Sequence, residues 1–432
     1  MKSYLYSVCL LLGLASMMLT SCYRDEYLNP SQASNESVVG STSGLISLCN
    51  GLQFRYSVSR TSPIYSTITA SGLSCGELNV LNQGNTDEAT LQTGKASVLG
   101  NNAVVSRLWE QNLIIKYNAE LILNNIDIVG DPATRNAILC YAYLYRGLSV
   151  LQLGTFWEQA PLVTGKGAVF SGRTDVLLNA VQMFEKGTAA AAAGPVFTTA
   201  FQSGIDFANT FAALTARTYN MLGNYDKALE AANKVDLTKK SEWTYDDVSR
   251  NPIFDVSYSN VNVCEPIDFN LGLSGGLLPA DTDGRILFYL KSKTFTTTAN
   301  EGKGFFTANS AKIPVYLPGE VSLIKAECYA RKNDLANALT ELNKVLTKTN
   351  DVYGVNANLP AYAGEQSQSA LLQEIYRNRC IELFNSGMKL EDSRRFNRPG
   401  PNDTGAERSR NYYPYPNSER DNNPNTPPDP AI

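Results

Sequence analysis

The chain has 432 residues, with 37 Lys and Arg against 41 Asp and Glu, a net charge of −4. No stretch is strongly basic, so the phosphate-neutralising surface of a nucleic-acid binder is missing. There is no histidine, which excludes Ser–His and Cys–His catalysis and zinc sites with His ligands, while paired carboxylates remain available for acid–base chemistry.

Lys2 leads into an apolar run from Leu5 to Leu19, which ends in Leu19-Thr20-Ser21-Cys22. A positive start, a short apolar stretch and small residues at a cleavage point make a secretory signal over residues 1–21. The run is too short to span a bilayer comfortably, since a spanning helix takes about 20 apolar residues. The tetrapeptide resembles a bacterial lipobox. That resemblance implies that Cys22 becomes the first residue of the mature lipoprotein and carries acyl chains such as palmitate.

Residues 22–43 are polar and aperiodic, and read as a tether. Residues 44–236 form an N-terminal helical part. One helix is expected near Gly44–Tyr56, then a long irregular section to about residue 100. Val105, Leu108, Trp109, Asn112, Ile115, Ala119, Ile122 and Ile126 recur at helical spacing. Asp131-Pro132 reads as a cap and a first-turn proline. The helix behind it lines Ala137, Tyr141, Leu144, Tyr145, Leu148 and Leu151 on one face, and is expected to end at Gly154.

Ala216–Leu229 then aligns with Ala326–Leu339 at a constant offset of 110 residues. Tyr219 matches Tyr329, Gly223 matches Asn333, and Ala228 matches Ala338. Each copy reads as helix, tight turn, helix, which is the tetratricopeptide pattern. Gly223 and Asn333 tolerate a left-handed backbone at the turn. Small Ala228 and Ala338 let the paired helices approach. The predicted fold is therefore mainly α, built of tetratricopeptide-like helical repeats.

Between the copies, residues 237–316 form a loop-rich insertion. It holds Trp243, Tyr245, Phe254, Tyr258, Phe269 and other rings amid Gly, Asn, Asp and Thr. Turn chemistry is dense, notably at Leu273-Ser-Gly-Gly276 and Asp281-Thr-Asp-Gly284. A long excursion inside a helical scaffold is commonly functional. Residues 317–432 carry the second repeat, a last helix at about Gln368–Phe384, and a proline-rich tail expected to drape over the body. Six cysteines follow Cys22. Cys140, Cys328 and Cys380 fall in helical patterns, where a buried free thiol is the default. Cys49 with Cys75 is the one disulfide pairing left open, since spacing cannot establish geometry.

These pieces, in this order, resemble the SusD/RagB family of surface lipoproteins from Bacteroidetes. The resemblance rests on Leu19–Cys22 and the acidic pair Asp25-Glu26 after it. Further along, Tyr143–Gly154 leads to Pro161-Leu162-Val163, and Glu320–Glu327 precedes Ala338, Leu342-Asn343 and Val345. It is strongest in Arg379-x-Ile381-Glu382-Leu383, Gly387 and Asp392-x-Arg394-Arg395, followed by Tyr413-Pro-Tyr-Pro416, Glu419 and Asn423-Pro424. Asn378 and Ser386 stand where acidic residues are usual, and Leu390 where an aromatic is. The resemblance implies one SusD-like domain over residues 22–432, a SusD-like α–α superhelix with an irregular ligand-binding face. It also implies a non-enzymatic role without cofactor or metal. The protein would capture nutrients, usually glycans, at the exterior face of the outer membrane. It would deliver them to a SusC-like TonB-dependent transporter.

Ligand residues in that family follow no shared motif, so candidates come from chemistry. Sugar recognition needs flat apolar faces and a few directed polar groups. Trp243 and Tyr245 share one side of an extended stretch by period-two spacing. Tyr258 is a third stacking candidate, and Asp283 and Arg285 are candidates for bonding hydroxyls. Asp281–Gly284 faintly suggests calcium but lacks the remaining ligands of a helix–loop–helix site. Arg379 and Glu382 lie one turn apart and read as an internal ion pair or cap. A lipid-anchored protein-interaction scaffold and a glycoside hydrolase are the competing functional readings.

Overall fold

The computed structural model describes residues 38–296 and 298–432; the signal segment and Cys22 lie outside the described residues. Ser41 starts the first helix, α1 (Thr42–Ser57), its hydroxyl accepting the Gly44 N–H at 3.1 Å. The section after it is more regular than its composition suggests. Ser62 caps α2 (Pro63–Ser74) by accepting the Tyr65 N–H at 3.2 Å. Every residue of α2 is buried. A helix buried on all sides has no amphipathic stripe, so spacing does not reveal it. A short strand β1 (Leu78–Val80) and helix α3 (Thr86–Thr93) follow.

Helices α4 (Ala103–Asn124) and α5 (Pro132–Phe156) lie where the apolar spacing places them. Asp131 caps α5, accepting the Thr134 N–H at 2.9 Å. This helix does not end at Gly154. A Cβ there would lie 3.0 Å from a Leu177 methyl and 3.1 Å from one of Val176, so the glycine admits the neighbouring helix. A hairpin of β2 (Gln159–Pro161) and β3 (Phe170–Gly172) leads into that neighbour, α6 (Arg173–Ala192). Next come α7 (Phe207–Met221) and α8 (Tyr225–Ala232).

The insertion leaves and re-enters the helical body through a two-residue clamp. Its strand β4 (Glu242–Trp243) pairs antiparallel with a later strand, Ile313–Pro314, setting Trp243 opposite Ile313. Within the loop, β5 (Cys264–Pro266) pairs antiparallel with β1, and α9 (Gly284–Tyr289) packs toward the C-terminal helices. The closing strand of the clamp is β6. Leu273, Ile286 and Tyr289 of the insertion form one apolar cluster with Tyr376, Ile381 and Phe384. The insertion thus brings its own core.

Helices α10 (Pro318–Arg331) and α11 (Leu335–Leu346) form the second repeat copy. The two turns match bond for bond. Gly223 has φ of 72° and Asn333 of 61°. The Asn224 N–H donates to the Tyr219 carbonyl and the Asp334 N–H to the Tyr329 carbonyl, each at 2.9 Å. Ala228 and Ala338 are fully buried. α8 packs on α10, so copies separated in sequence by the insertion are adjacent in space.

The C-terminal part adds α12 (Gln368–Glu382), α13 (Lys389–Arg395) and α14 (Asn417–Asn422). The expected Arg379–Glu382 pair is not formed. Arg379 instead donates twice to Asp392, at 2.8 and 3.0 Å. Arg395 donates to both oxygens of Glu327 at 2.8 and 2.9 Å, joining α13 to α10. Burial alone would raise the Glu327 carboxyl, but Arg395, Arg379 and Arg331 outweigh it and hold it at about 2. The tail is draped over the body. Tyr413 stacks on Phe156 with centroids 5.7 Å apart, and the Trp157 indole N–H donates to the Pro414 carbonyl at 3.0 Å. The Trp109 indole N–H donates to Glu419 at 3.0 Å. Among the described residues no helix is long and apolar enough to cross a membrane.

Candidate functional site

The five ligand candidates named from sequence are all buried. Trp243, Tyr245 and Tyr258 are 6%, 9% and 4% exposed. Trp243 sits on the insertion's clamp, and its ring meets Tyr56 at a centroid distance of 5.5 Å. Tyr258 meets Phe306 edge-on at 5.5 Å, and its hydroxyl bonds Asn385. Rings beside a clamp must fill the space that the clamp closes, so they are core rings. Trp243 and Tyr56 do line an interior cavity, but it measures only about 90 Å³. Ligand clefts run to roughly 300–1,000 Å³.

Asp283 and Arg285 come together, and they face inward. Arg285 donates through Nε and Nη2 to the two Asp283 oxygens at 2.9 and 2.7 Å, and through Nη1 to Glu382 at 3.2 Å. Asn378, one of the positions where the chain departs from the resemblance, accepts from Arg285 at 2.8 Å. Asp283 also caps α9. Their bonding capacity is used within the protein and pins the insertion to α12. Cys49 and Cys75 are both buried free thiols, and burial pushes the Cys75 thiol up to about 12.

An open groove of about 580 Å³ lies elsewhere on the insertion, where it meets the end of α2, the α3 end and the residues before the tail. The floor is a backbone crossing. Gly76 and Gly272 both have positive φ, 66° and 70°, and a Cβ added at Gly272 would overlap the Gly76 carbonyl oxygen. One wall is the turn after β5, with Ile267, Asp268, Leu273, Ser274 and Leu277. Asp268 shapes it by accepting the Asn270 and Gly272 N–H groups, each at 2.9 Å. The turn leaves the Phe269 side chain at the surface, 43% exposed.

The other wall is Glu407-Arg408-Ser409. The Ser409 N–H donates to the Ser74 carbonyl at 2.8 Å, and the Lys95 N–H donates to the Ser409 carbonyl at 3.0 Å. Lys389, the first residue of α13, closes the base. Its ammonium is a charge neighbour of Glu77, Cys75 and Cys380. Burial pushes the Glu77 carboxyl up to about 7, against the pull of Lys389.

The groove therefore offers a half-apolar trough, an exposed ring on the turn that forms one wall, and hydroxyl, amide and cationic donors. That is the mix a saccharide requires. Of its features the sequence did single out the Leu273–Gly276 turn and Phe269 as part of the insertion. Lys95, Lys389 and Arg408 carried no sequence signal, because isolated cations at distant positions look like ordinary solvated charge.

Similarity to known proteins follows the fold. The model of the SusD family matches residues 279–429. No curated protein sequence is similar enough to count as a relative. Solved structures are similar over nearly the whole chain. A SusD superfamily protein from Bacteroides vulgatus ATCC 8482 has a TM-score of 0.67 at 15% identity, covering 90% of this chain and 98% of its own. A SusD-like protein from Bacteroides fragilis NCTC 9343 has a TM-score of 0.69 at 12% identity, covering 92% and 99%. A SusD-like carbohydrate binding protein from Bacteroides vulgatus ATCC 8482 has a TM-score of 0.65 at 18% identity, covering 83% and 84%. Residues 279–429 of the chain thus match the SusD family model, and the chain as a whole has the fold of these SusD superfamily structures.

Proposed function

We propose that this protein is a glycan-capturing lipoprotein of the outer membrane that passes its ligand to a SusC-like TonB-dependent transporter. The observation that carries the reading is the open groove, with the exposed Phe269 on the turn that forms one of its walls, on a fold shared with a SusD-like carbohydrate binding protein. The groove binds a sugar by stacking and hydrogen bonding. Binding without chemistry is supported by its lining carboxylates being engaged within the protein: Glu407 accepts from Arg398 at 2.8 Å and from the Tyr376 hydroxyl at 2.8 Å, and Asp268 is held by its own turn. Cys22 holds the protein at the membrane, ahead of the Ser41 cap that starts the folded body.

Two measurements test the reading. Calorimetry of the mature chain against a saccharide panel, with product analysis on the same samples, should show binding without turnover. Hydrolysis of a bound saccharide would make the protein an enzyme, and failure of every saccharide to bind would remove the capture role. In the native host, Cys22→Ala should release the protein from the membrane fraction, because each buried methylene of an acyl chain contributes about 0.8 kcal/mol to anchoring. Co-purification of a TonB-dependent barrel with the parent protein checks the partner; its consistent absence would argue for a stand-alone binder.

A further inference from the structure

The groove holds more positive charge than the protein itself neutralises. Lys389 is 5% exposed and lines the base, and its ammonium makes no hydrogen bond or ion pair among the described residues. Arg408 donates from Nε to the Asn411 side-chain oxygen at 2.7 Å and from Nη1 to the Arg398 and Ser393 carbonyls at 2.7 and 3.3 Å. All three acceptors are uncharged, but Nη2 lies on the Gly400 side, away from the groove lining, with Asp403 as a charge neighbour, so Arg408 adds to the charge of the wall without presenting a free donor to the groove. Lys95, held by a turn with φ of 49°, also lines the groove with its ammonium unpaired among the described residues. The Ser409 hydroxyl is buried there without a partner.

The carboxylates that line the groove do not balance Lys389 and Lys95. Glu407 is taken up by Arg398 and Tyr376, and Asp268 is spent on its turn. Glu77 behind Lys389 holds its proton to about pH 7, so it offsets the ammonium only in part. An arriving anion that pairs with a buried cation offsets the cost of keeping that charge out of water.

We propose that the groove takes an acidic saccharide, with a carboxylate or sulfate of the sugar seated between Lys389 and Lys95, against the Arg408–Ser409 wall. This rests on the reading of the groove as the saccharide site. The anion pairs with the Lys389 ammonium, the Ser409 hydroxyl donates to it, and Lys95 adds positive charge at the rim. Charge-assisted bonds of this kind are about twice as strong as neutral ones.

Calorimetry on the mature chain tests it with four probes: oligogalacturonides, which carry only carboxylates; carrageenan oligosaccharides, which carry only sulfates; and neutral malto- and cello-oligosaccharides. At least one acidic series should bind roughly tenfold or more tighter than the neutral ones, with affinity falling as salt is raised. The series that binds identifies the anion. Lys389→Met and Lys95→Gln should each weaken acidic binding about tenfold. Lys95 is exposed, so its variant reports even if Lys389→Met fails to fold. Neutral sugars binding as tightly as acidic ones, or acidic binding unmoved by Lys95→Gln, would overturn the proposal while leaving saccharide capture intact. If no probe of either kind binds, the groove's reading as a saccharide site fails with it.

Discussion

Gly76 and Gly272 cross backbone to backbone, so closely that a side chain at Gly272 would overlap the Gly76 carbonyl oxygen. This crossing ties the end of α2 to the insertion and forms the groove floor. Both residues are also left-handed, with φ of 66° and 70°. Gly272→Ala should therefore combine a clash with backbone strain and lose about 1–3 kcal/mol or more of stability. Urea unfolding checks this. Gly275→Ala is the control: it has φ of 56° but nothing within 4 Å of its added Cβ, so it should cost less. Equal losses at both positions would show that strain alone, and not the crossing, matters.

Phe269 and Trp243 should separate in their effects. Phe269 is 43% exposed on the turn that walls the groove, and Trp243 is 6% exposed in the clamp. Phe269→Ala should weaken saccharide binding about tenfold while stability stays within about 0.5 kcal/mol. Trp243→Ala should cost about 3–5 kcal/mol of folding stability. Binding and unfolding measured on both variants decide it. Normal binding by Phe269→Ala would move the platform elsewhere on the groove.

Glu77 should make stability depend on pH. It is 1% exposed, and burial raises its carboxyl from 4.5 to about 7. A folded-state value above the unfolded one means that the folded protein binds the proton more tightly. Its contribution to stability is then fully present below about pH 4.5 and is lost as pH rises to about 7. The loss is on the order of 3 kcal/mol. Glu77→Gln keeps the shape without the charge. The variant should be more stable than the parent at pH 8 and close to it at pH 4, as read from denaturant midpoints. A variant weaker than the parent at pH 8 would mean that the carboxylate is held charged by Lys389.

Ala338 should not accept a large side chain. It is fully buried on α11, in the apolar cluster that this helix shares with α10 and α12. Ala338→Trp forces a ring into that contact, and overpacking typically costs about 1–3 kcal/mol. Ala336→Trp, on the exposed side of the same helix, should be near neutral. Matching midpoints for the two variants would mean that α11 does not pack as a repeat helix.

Local rules explain what was legible. The repeat could be found because a turn needs a left-handed residue at one position and a small residue at another, and Gly223, Asn333, Ala228 and Ala338 meet those needs wherever the helices lie. Caps at Asp131 and the spacing of α4 are equally local. α2 was missed because burial on every face erases periodicity. Gly154 was misread as a helix end because a glycine that admits a neighbour looks the same in sequence as one that ends a helix. Arg379 and Glu382 were one turn apart, yet each found a stronger partner from another element, in Asp392 and Arg285.

The same distinction separates fold from site. By itself the sequence determined a mainly helical chain with two related hairpins and a loop-rich excursion between them, since those features follow from residue order over a few turns. It also set the export-signal pattern, which is read along the chain. Only the tertiary structure decided which rings are wall and which are platform. Trp243 and Phe269 sit in the same polar, turn-rich insertion, but the β4–β6 ladder draws one into the core and the Asp268 turn leaves the other out. Likewise Lys95, Lys389 and Arg408 come to line one groove only when the α3 end, α13 and the segment before the tail meet around the Gly76–Gly272 crossing. Burial and proximity between distant segments are properties of packing, and no local pattern encodes them.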